Sequence, residues 1–286
     1  MAAGRGAGAG KPRKRVIPGF GLTMGVTITM LSVLVLIPLA SILVYATQLT
    51  FAEFVETITS AAVLYALATT LGTAAVAAAI NCVFGVILAW VLVRYEFPGK
   101  KLLDGLIELP FALPTAVAGI TLSKMYSTTG QPGAWLYETF GLEVSYTHLG
   151  IVVALVFVGI PFVVRSVQPV LEKLDPEFEE AAYILGASKW KTFTKIILAE
   201  LRPAILTGFG LAFARGIGEY GSVIYISGNN VLQHTQVISY VVMQKLNYLD
   251  YGSATSIALI MLIISFLLLL FINIVQVRQS RRTNDV

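Results

Sequence analysis

EAAYILGASKWKTFTKIIL, Glu180 to Leu198, is charged and helical in pattern, yet it stands between long apolar segments. Just upstream, Asp175-Pro176 reads as a helix start. Asp serves as N-cap, and Pro takes the first helical position, where its missing N–H costs nothing. Glu177, Glu179 and Glu180 follow, in the turns where the helix dipole favours negative charge. Phe178, Ala181, Ala182 and Leu185 recur at i, i+3, i+4 and i+7 and form one apolar face. Gly186 supplies the left-handed residue that ends the helix. Ser188 caps a second helix, with Trp190, Phe193, Ile196 and Ile197 on one side and Lys189, Lys191 and Lys195 elsewhere. Two short amphipathic helices joined at a glycine cannot bury their faces alone. They need the rest of the chain on one side, and either a partner protein or the membrane interface on the other. Periodicity by itself supports a docking loop and a partnerless interfacial hairpin equally.

The segments on either side of this stretch set the fold class. The chain is 56% hydrophobic and 13% charged, with a mean hydropathy of +0.79, where a soluble domain carries about 25% charged residues. Lipid offers no partner for open backbone groups, so the spanning elements are helices, and the apolar runs exceed the roughly 10 residues of a barrel strand. Six runs are long enough to cross the hydrocarbon, at 20–46, 62–93, 102–123, 148–168, 204–226 and 254–276, the third being the least regular. The expected fold is all-α, a polytopic membrane bundle of six spanning helices at 19–278. Basic tails lie at 1–18 and 279–286, and the polar loop occupies about 172–200.

Charge gives the orientation. One side receives Arg5, Lys11, Arg13, Lys14 and Arg15, then Arg94, Lys100 and Lys101. The same side takes Arg165, Lys173, Lys189, Lys191, Lys195 and Arg202 around the polar loop, and finally Arg278, Arg281 and Arg282. The other side receives Lys124 and Lys245 only, and Arg215 is intramembrane. Such asymmetry is a positive-inside signal, which predicts that both termini and the loop are cytoplasmic. The first 15 residues, MAAGRGAGAGKPRKR, have no apolar core of a signal peptide. Their G-x-G-x-G run follows no strand, so they read as a flexible tail near anionic lipid rather than a dinucleotide site.

The spacing of the central stretch, Glu180-Ala181-Ala182, three residues, Gly186, nine residues, then Ile196-x-Leu198, resembles the EAA loop of ABC importer permeases. Three further blocks extend the resemblance from about Val16 to Arg278: RYEFPGKKLLDGLIELPFALPTAVAGITL (Arg94 to Leu122), GIPFVVRSVQPVLEKLDPEFEEAA (Gly159 to Ala182) and LAFARGIGEYGSVIYISGN (Leu211 to Asn229). Together they look like the T-type permease subunits of bacterial sulfate/thiosulfate importers. Related W-type subunits differ at Leu113-Pro114-Thr115. Molybdate and tungstate permeases share the Pro-rich block but diverge near the C-terminus. The resemblance implies a type I importer permease paired with a W-type subunit, two copies of a cytoplasmic ATPase and an extracytoplasmic binding protein. It also implies that Glu180, Ala181, Ala182, Gly186, Ile196 and Leu198 couple this chain to the ATPase. One departure is that Leu198 is followed by Ala199 where the family usually has Pro. Pro203 is expected to punctuate the chain instead. No G-x-x-x-x-G-K-[ST] phosphate loop occurs in the sequence. The chain is therefore expected to be no enzyme and to hold no cofactor, with ATP and Mg on the partner ATPase.

Charges inside membrane spans are expensive and mark functional positions. Arg215 and Glu219, four apart in the fifth span, can pair. Either Arg215 offers a positive field to a passing dianion, with Glu219 restraining it, or the two only tie helices together. Pro110 and Pro114 are expected to break the third span. The break either lines a cavity, where freed N–H groups and the Thr115 hydroxyl meet an anion, or is a kink that shapes packing. Glu108 would repel a dianion and is expected to be structural or gating. Cys82 lies in an apolar run and reads as a packing residue. The small residues from Gly72 to Ala79 suit close helix packing. Trp90, Tyr95 and Trp135 fall where interface anchors occur. Asn229 and Asn230, just past the fifth span, are candidate contacts for a binding protein. His148 and His234 are expected in outer loops, far apart, with no metal site. An ion-driven secondary transporter would call for paired half-repeats, and a membrane enzyme for clustered acids, histidines or a nucleophile–base set. The sequence displays neither, and nothing in it suggests nucleic-acid binding.

Overall fold

The structure, a computed structural model, describes residues 20–284 except 176. The basic segment 1–18 and Pro176 lie outside the described residues. Among the described residues, five helices are long and apolar enough to cross a membrane: α1 (Phe20–Ala46), α3 (Ala61–Arg94), α7 (His148–Lys173), α9 (Lys189–Ile217) and the stretch Tyr251–Gln276 of α12 (Tyr251–Asn284). Shorter helices connect them: α2 (Phe51–Thr59), α4 (Lys100–Ala112), α5 (Thr115–Met125), α6 (Gln131–Phe140), α8 (Glu177–Ile184), α10 (Val223–Ile226) and α11 (Ile238–Asn247).

The core lies where α3, α7 and α9 meet. Small residues let these backbones approach, the packing device of membrane helices where there is no hydrophobic drive between them. Ala74, Ala77 and Ala78 of α3 are buried, as the small-residue run predicts. A Cβ on Gly85 would stand 2.7 Å from a Val163 side-chain carbon, and one on Gly208 only 2.8 Å from the Val163 Cα. Val163 is thus gripped by glycines from two helices, and neither position has room for a larger residue. Cys82 is half-buried with its thiol 3.9 Å from the Ile205 carbonyl oxygen, a packing position. The α1 helix, with a π-helical turn at Ser32–Leu36, leans on α12 and is exposed along nearly its whole length.

Two span predictions need correction. The expected third span at 102–123 is two helices, α4 and α5, bent by 111°. The break falls at Leu113-Pro114. Pro110 does not break anything: it is buried inside α4. The expected fifth span at 204–226 instead starts at Lys189 and ends at Ile217. The second half of the polar loop is therefore not a separate short helix but the first turns of this span. Pro203 lies inside the helix and does not punctuate it. The α2 helix, which lies outside the six expected runs, is closed by a capping box. Thr50 Oγ1 accepts from the Glu53 N–H at 3.3 Å, while the Glu53 carboxylate accepts from the Thr50 N–H at 2.8 Å.

Candidate coupling loop and translocation site

The polar loop is built by its caps. The Asp175 carboxylate accepts from the Glu177 N–H at 3.0 Å, as the N-cap reading requires. At the other end of α8, Gly186 has φ +80°. Its N–H reaches the Tyr183 carbonyl and the Ala187 N–H reaches the Ala182 carbonyl, both at 2.9 Å. That pair of bonds is a Schellman stop, and only a residue at ease with positive φ can occupy its centre. Ser188 then caps α9 by accepting from the Lys191 N–H at 3.3 Å.

Of the predicted apolar face of α8, only Ala182 is buried. Glu180, Ala181 and Gly186 are exposed, and so are Phe178 and Leu185. Ile184 is 86% exposed, Leu185 87% and Trp190 74%. Ile196 and Leu198, half-buried, sit within α9 rather than in a loop. What fixes the loop to the bundle is a set of residues that the motif does not contain. Arg94, at the end of α3, pairs with Glu179 at 2.6 Å and lies over the Trp90 ring at 5.4 Å. Trp90 meets Phe193 of α9 edge to face at 5.5 Å. The loop is clamped from behind while its apolar tip stands free.

The second cluster lies where α9 ends. Arg215 and Glu219 form an ion pair of 2.6 Å. Glu219 is not on the helix, which stops at Ile217, but in the turn beyond it, where it is only 3% exposed. Its other carboxylate oxygen accepts from the Ser222 N–H and hydroxyl, both at 2.9 Å, and Ser239 donates to its backbone carbonyl at 2.9 Å. Arg215 stays half-exposed. A guanidinium has five N–H donors, so a pair held from the buried side leaves donors free on the open side.

The broken span meets this same turn. Pro114 ends the break and starts α5, with its carbonyl accepting from the N–H groups of Val117 and Ala118. A Cβ on Gly221 would stand 2.1 Å from Thr115 Oγ1, and one on Gly119 only 2.3 Å from the Ser222 carbonyl oxygen. Hence Pro114, Thr115, Arg215 and Glu219 share one site, at the meeting of α5 with the 218–222 turn. Gly119→Ala must push α5 off a backbone rather than off a flexible side chain. It is expected to destabilise the protein by about 1–3 kcal/mol, read as a lower thermal midpoint of the purified protein.

Glu108 and Pro110 do not join this site. Glu108 pairs with Arg165 of α7 at 2.8 Å, and Asp104 pairs with the same guanidinium at 2.7 Å. Arg165 also donates to Gln168 at 2.6 Å. This three-charge tie, Glu108 included, joins α4 to α7. In sequence Arg165 stands with the charges beside the polar loop, and Asp104, 61 positions earlier, gives no local signal of the pairing. The two histidines are not far apart. His148 is the first residue of α7, and its Nε2 lies 3.1 Å from the His234 carbonyl oxygen. Among the described residues, no group of three or more His, Cys, Asp and Glu could hold a metal. Asn229 and Asn230 shape their own loop. The Asn229 side chain donates to the Ile224 carbonyl, and Asn230 Oδ1 accepts from the N–H groups of Leu232 and Gln233.

Comparison with known proteins agrees with this architecture. Residues 81–285 match the family model described as binding-protein-dependent transport system inner membrane component. The sulfate transport system permease protein CysT of Escherichia coli (strain K12) is 48% identical over 94% of this chain and 96% of its own length. That of Salmonella typhimurium is 46% identical over the same shares. Among solved structures, a bacterial alginate ABC transporter in complex with an alginate-pentasaccharide-bound periplasmic protein superposes with a TM-score of 0.75. At 18% identity it covers 92% of this chain and 94% of the matched chain, and so bears on the fold alone.

Proposed function

This chain belongs to the family of binding-protein-dependent transport system inner membrane components. From that premise, we propose that it is a permease subunit of an ATP-driven sulfate importer in the cytoplasmic membrane. It performs no chemistry of its own. A second, W-type permease completes the pore, two copies of a cytoplasmic ATPase supply ATP and Mg, and an extracytoplasmic binding protein delivers sulfate or thiosulfate. Both termini and the α8 loop face the cytoplasm, in keeping with the 17 basic residues on that side against two outside.

The observation that carries this reading is the free tip of the loop. Ile184, Leu185 and Trp190 are exposed on a two-helix loop whose back is pinned by Arg94 through Glu179 and by Trp90 through Phe193. An exposed apolar patch on a rigid mount suits a helix that enters a groove on another protein. Glu180, Ala181, Ala182 and Gly186 shape that helix, and Ile196 and Leu198 carry its displacement into α9. At the far end of α9, the open donors of Arg215 and the Thr115 hydroxyl are suited to meet the anion, with Glu219 holding the guanidinium in place. Pro114 keeps the break open beside them. Labelled-sulfate uptake in cells lacking this chain is expected to fall to background and to return when the chain is restored. Unchanged sulfate uptake with molybdate uptake lost would overturn the substrate assignment.

A further inference from the structure

At the opposite end of the bundle from the α8 loop, the end of α5 borders a cavity of about 390 Å³ lined by Ser123, Lys124, Ser127, Thr129, Tyr146 and Tyr225. Its polar side chains are five hydroxyls and one ammonium, beside the apolar Ile120. Lys124 takes part in none of the ion pairs among the described residues, whereas Lys245, the other lysine assigned to this side, is held by Asp250 at 3.1 Å. Ser127 donates to the Lys124 carbonyl at 2.9 Å and stands 3.2 Å from Thr129. The hydroxyls of Ser123, Tyr146 and Tyr225 make no hydrogen bond within the described residues.

The wall is built, not incidental. A helix C-terminus presents carbonyl oxygens that repel an anion, but here the following turn folds over them. A Cβ on Gly130 would stand 2.2 Å from the Met125 carbonyl oxygen and 2.3 Å from that of Lys124. One on Gly133 would stand 2.1 Å from that of Ser127. Glycine at both positions lets the turn cover the negative end of α5 and leaves the ammonium and hydroxyls facing the cavity. Tyr146 is held at φ +67°, a region that bulky residues avoid. Its N–H donates to the Ile226 carbonyl at 2.6 Å, and it packs against Gly228. Backbone strain of this kind persists where the surroundings fix it, and it gathers at functional sites.

We propose that this cavity is an outer staging site for a tetrahedral oxyanion, bound by the Lys124 ammonium and the hydroxyls of Ser123, Tyr146 and Tyr225. The inference rests on the importer reading above and adds a second site to it. From Thr115 to Lys124 the α5 helix covers about 14 Å, so one helix links the outer cavity to the Arg215 site. A released dianion would meet a fixed positive charge before it reaches the break. Without that charge, more of it would escape outward, and ATP would be hydrolysed with no anion delivered.

The test uses the whole complex, with binding protein, in proteoliposomes, and measures labelled sulfate taken up per ATP hydrolysed. Lys124→Gln is expected to lower that ratio about fivefold, the worth of one partly exposed charge contact. Lys124→Arg should keep the wild-type ratio, and Lys124→Glu should fall below Lys124→Gln. This order of charge would not follow from a packing role. Equal ratios in all four proteins overturn the proposal. Parallel loss of binding-protein-stimulated hydrolysis and uptake, with the ratio unchanged, assigns Lys124 to protein docking and also overturns it. An effect seen with phosphatidylglycerol in the vesicles but absent in pure phosphatidylcholine assigns the cavity to a lipid headgroup and likewise overturns the staging role. If the wild-type complex takes up no sulfate, it is the importer reading that fails.

Discussion

Arg215→Ala is expected to destabilise the permease by about 3 kcal/mol, the lower end of the range for stripping the partner from a buried charge. The loss comes from what stays behind. Glu219 is 3% exposed, and its carboxylate would be left in the protein interior without a counter-charge. The two hydrogen bonds from Ser222 remain, which keeps the effect from being larger. A lower thermal midpoint and a lower yield of purified protein would report it, and sulfate uptake should vanish. That single variant does not separate a structural tie from an anion contact. Arg215→Leu combined with Glu219→Gln does. Removing both charges while keeping an acceptor for Ser222 should restore stability to within about 1 kcal/mol. If the open donors of Arg215 meet sulfate, uptake stays at background although the protein is sound. If uptake returns with stability, the pair is only a tie.

The second large effect is expected at the tip of the loop. Ile184→Glu with Leu185→Glu changes two side chains that are 86% and 87% exposed, so folding should shift by no more than about 0.5 kcal/mol. Binding is another matter. Apolar anchors in a docking groove are worth about 2 kcal/mol or more each, so losing even one of the two should lower the affinity for the ATPase at least about thirtyfold. Titration of the purified permease with ATPase would measure this, and uptake should be lost while isolated ATPase activity is untouched. Normal ATPase binding by the double variant would place this tip in the membrane interface, the other role that its periodicity allows.

These two sites are not equally legible in the sequence. Gly186 is readable because a positive φ leaves few residue choices, and the Schellman bonds of Ala182 and Tyr183 confirm the stop. Arg215 and Glu219 are readable because ionisable residues in an apolar run are rare and a spacing of four brings side chains together. The pair forms even though Glu219 lies past the helix end, because the turn at Gly218 keeps the carboxylate within reach. The long α9 helix is not legible. Lys189, Lys191, Lys195, Glu200 and Arg202 depress the hydropathy of its first turns, and Pro203 looks like a stop. Inside the fold the proline sits in a continuing helix, and hydropathy does not track helicity where a span extends past the lipid. The clamps are also invisible. Arg94 and Glu179 are 85 positions apart, and Arg165 and Asp104 61, so no local period links them. Pro110 shows the converse error, a residue with a strong local meaning that its surroundings override.

The continuity of α9 has a mechanical consequence. From Lys189 to Ile217 it is a single rod of 29 residues, about 43 Å long, with Trp190 near one tip and Arg215 near the other. A stiff rod stores little of a push and delivers most of it, so a thrust at the Trp190 tip arrives at the far tip almost at once. The π-helical turn at Phe193–Ile197 is one compliant point, at the driven end beside the Trp90 contact, and Pro203, which has no N–H to give the helix ladder, is a second one midway along the rod. In the proposed importer, the tempo of opening at the anion site is therefore set by the engine below and not by slow rearrangement within this chain.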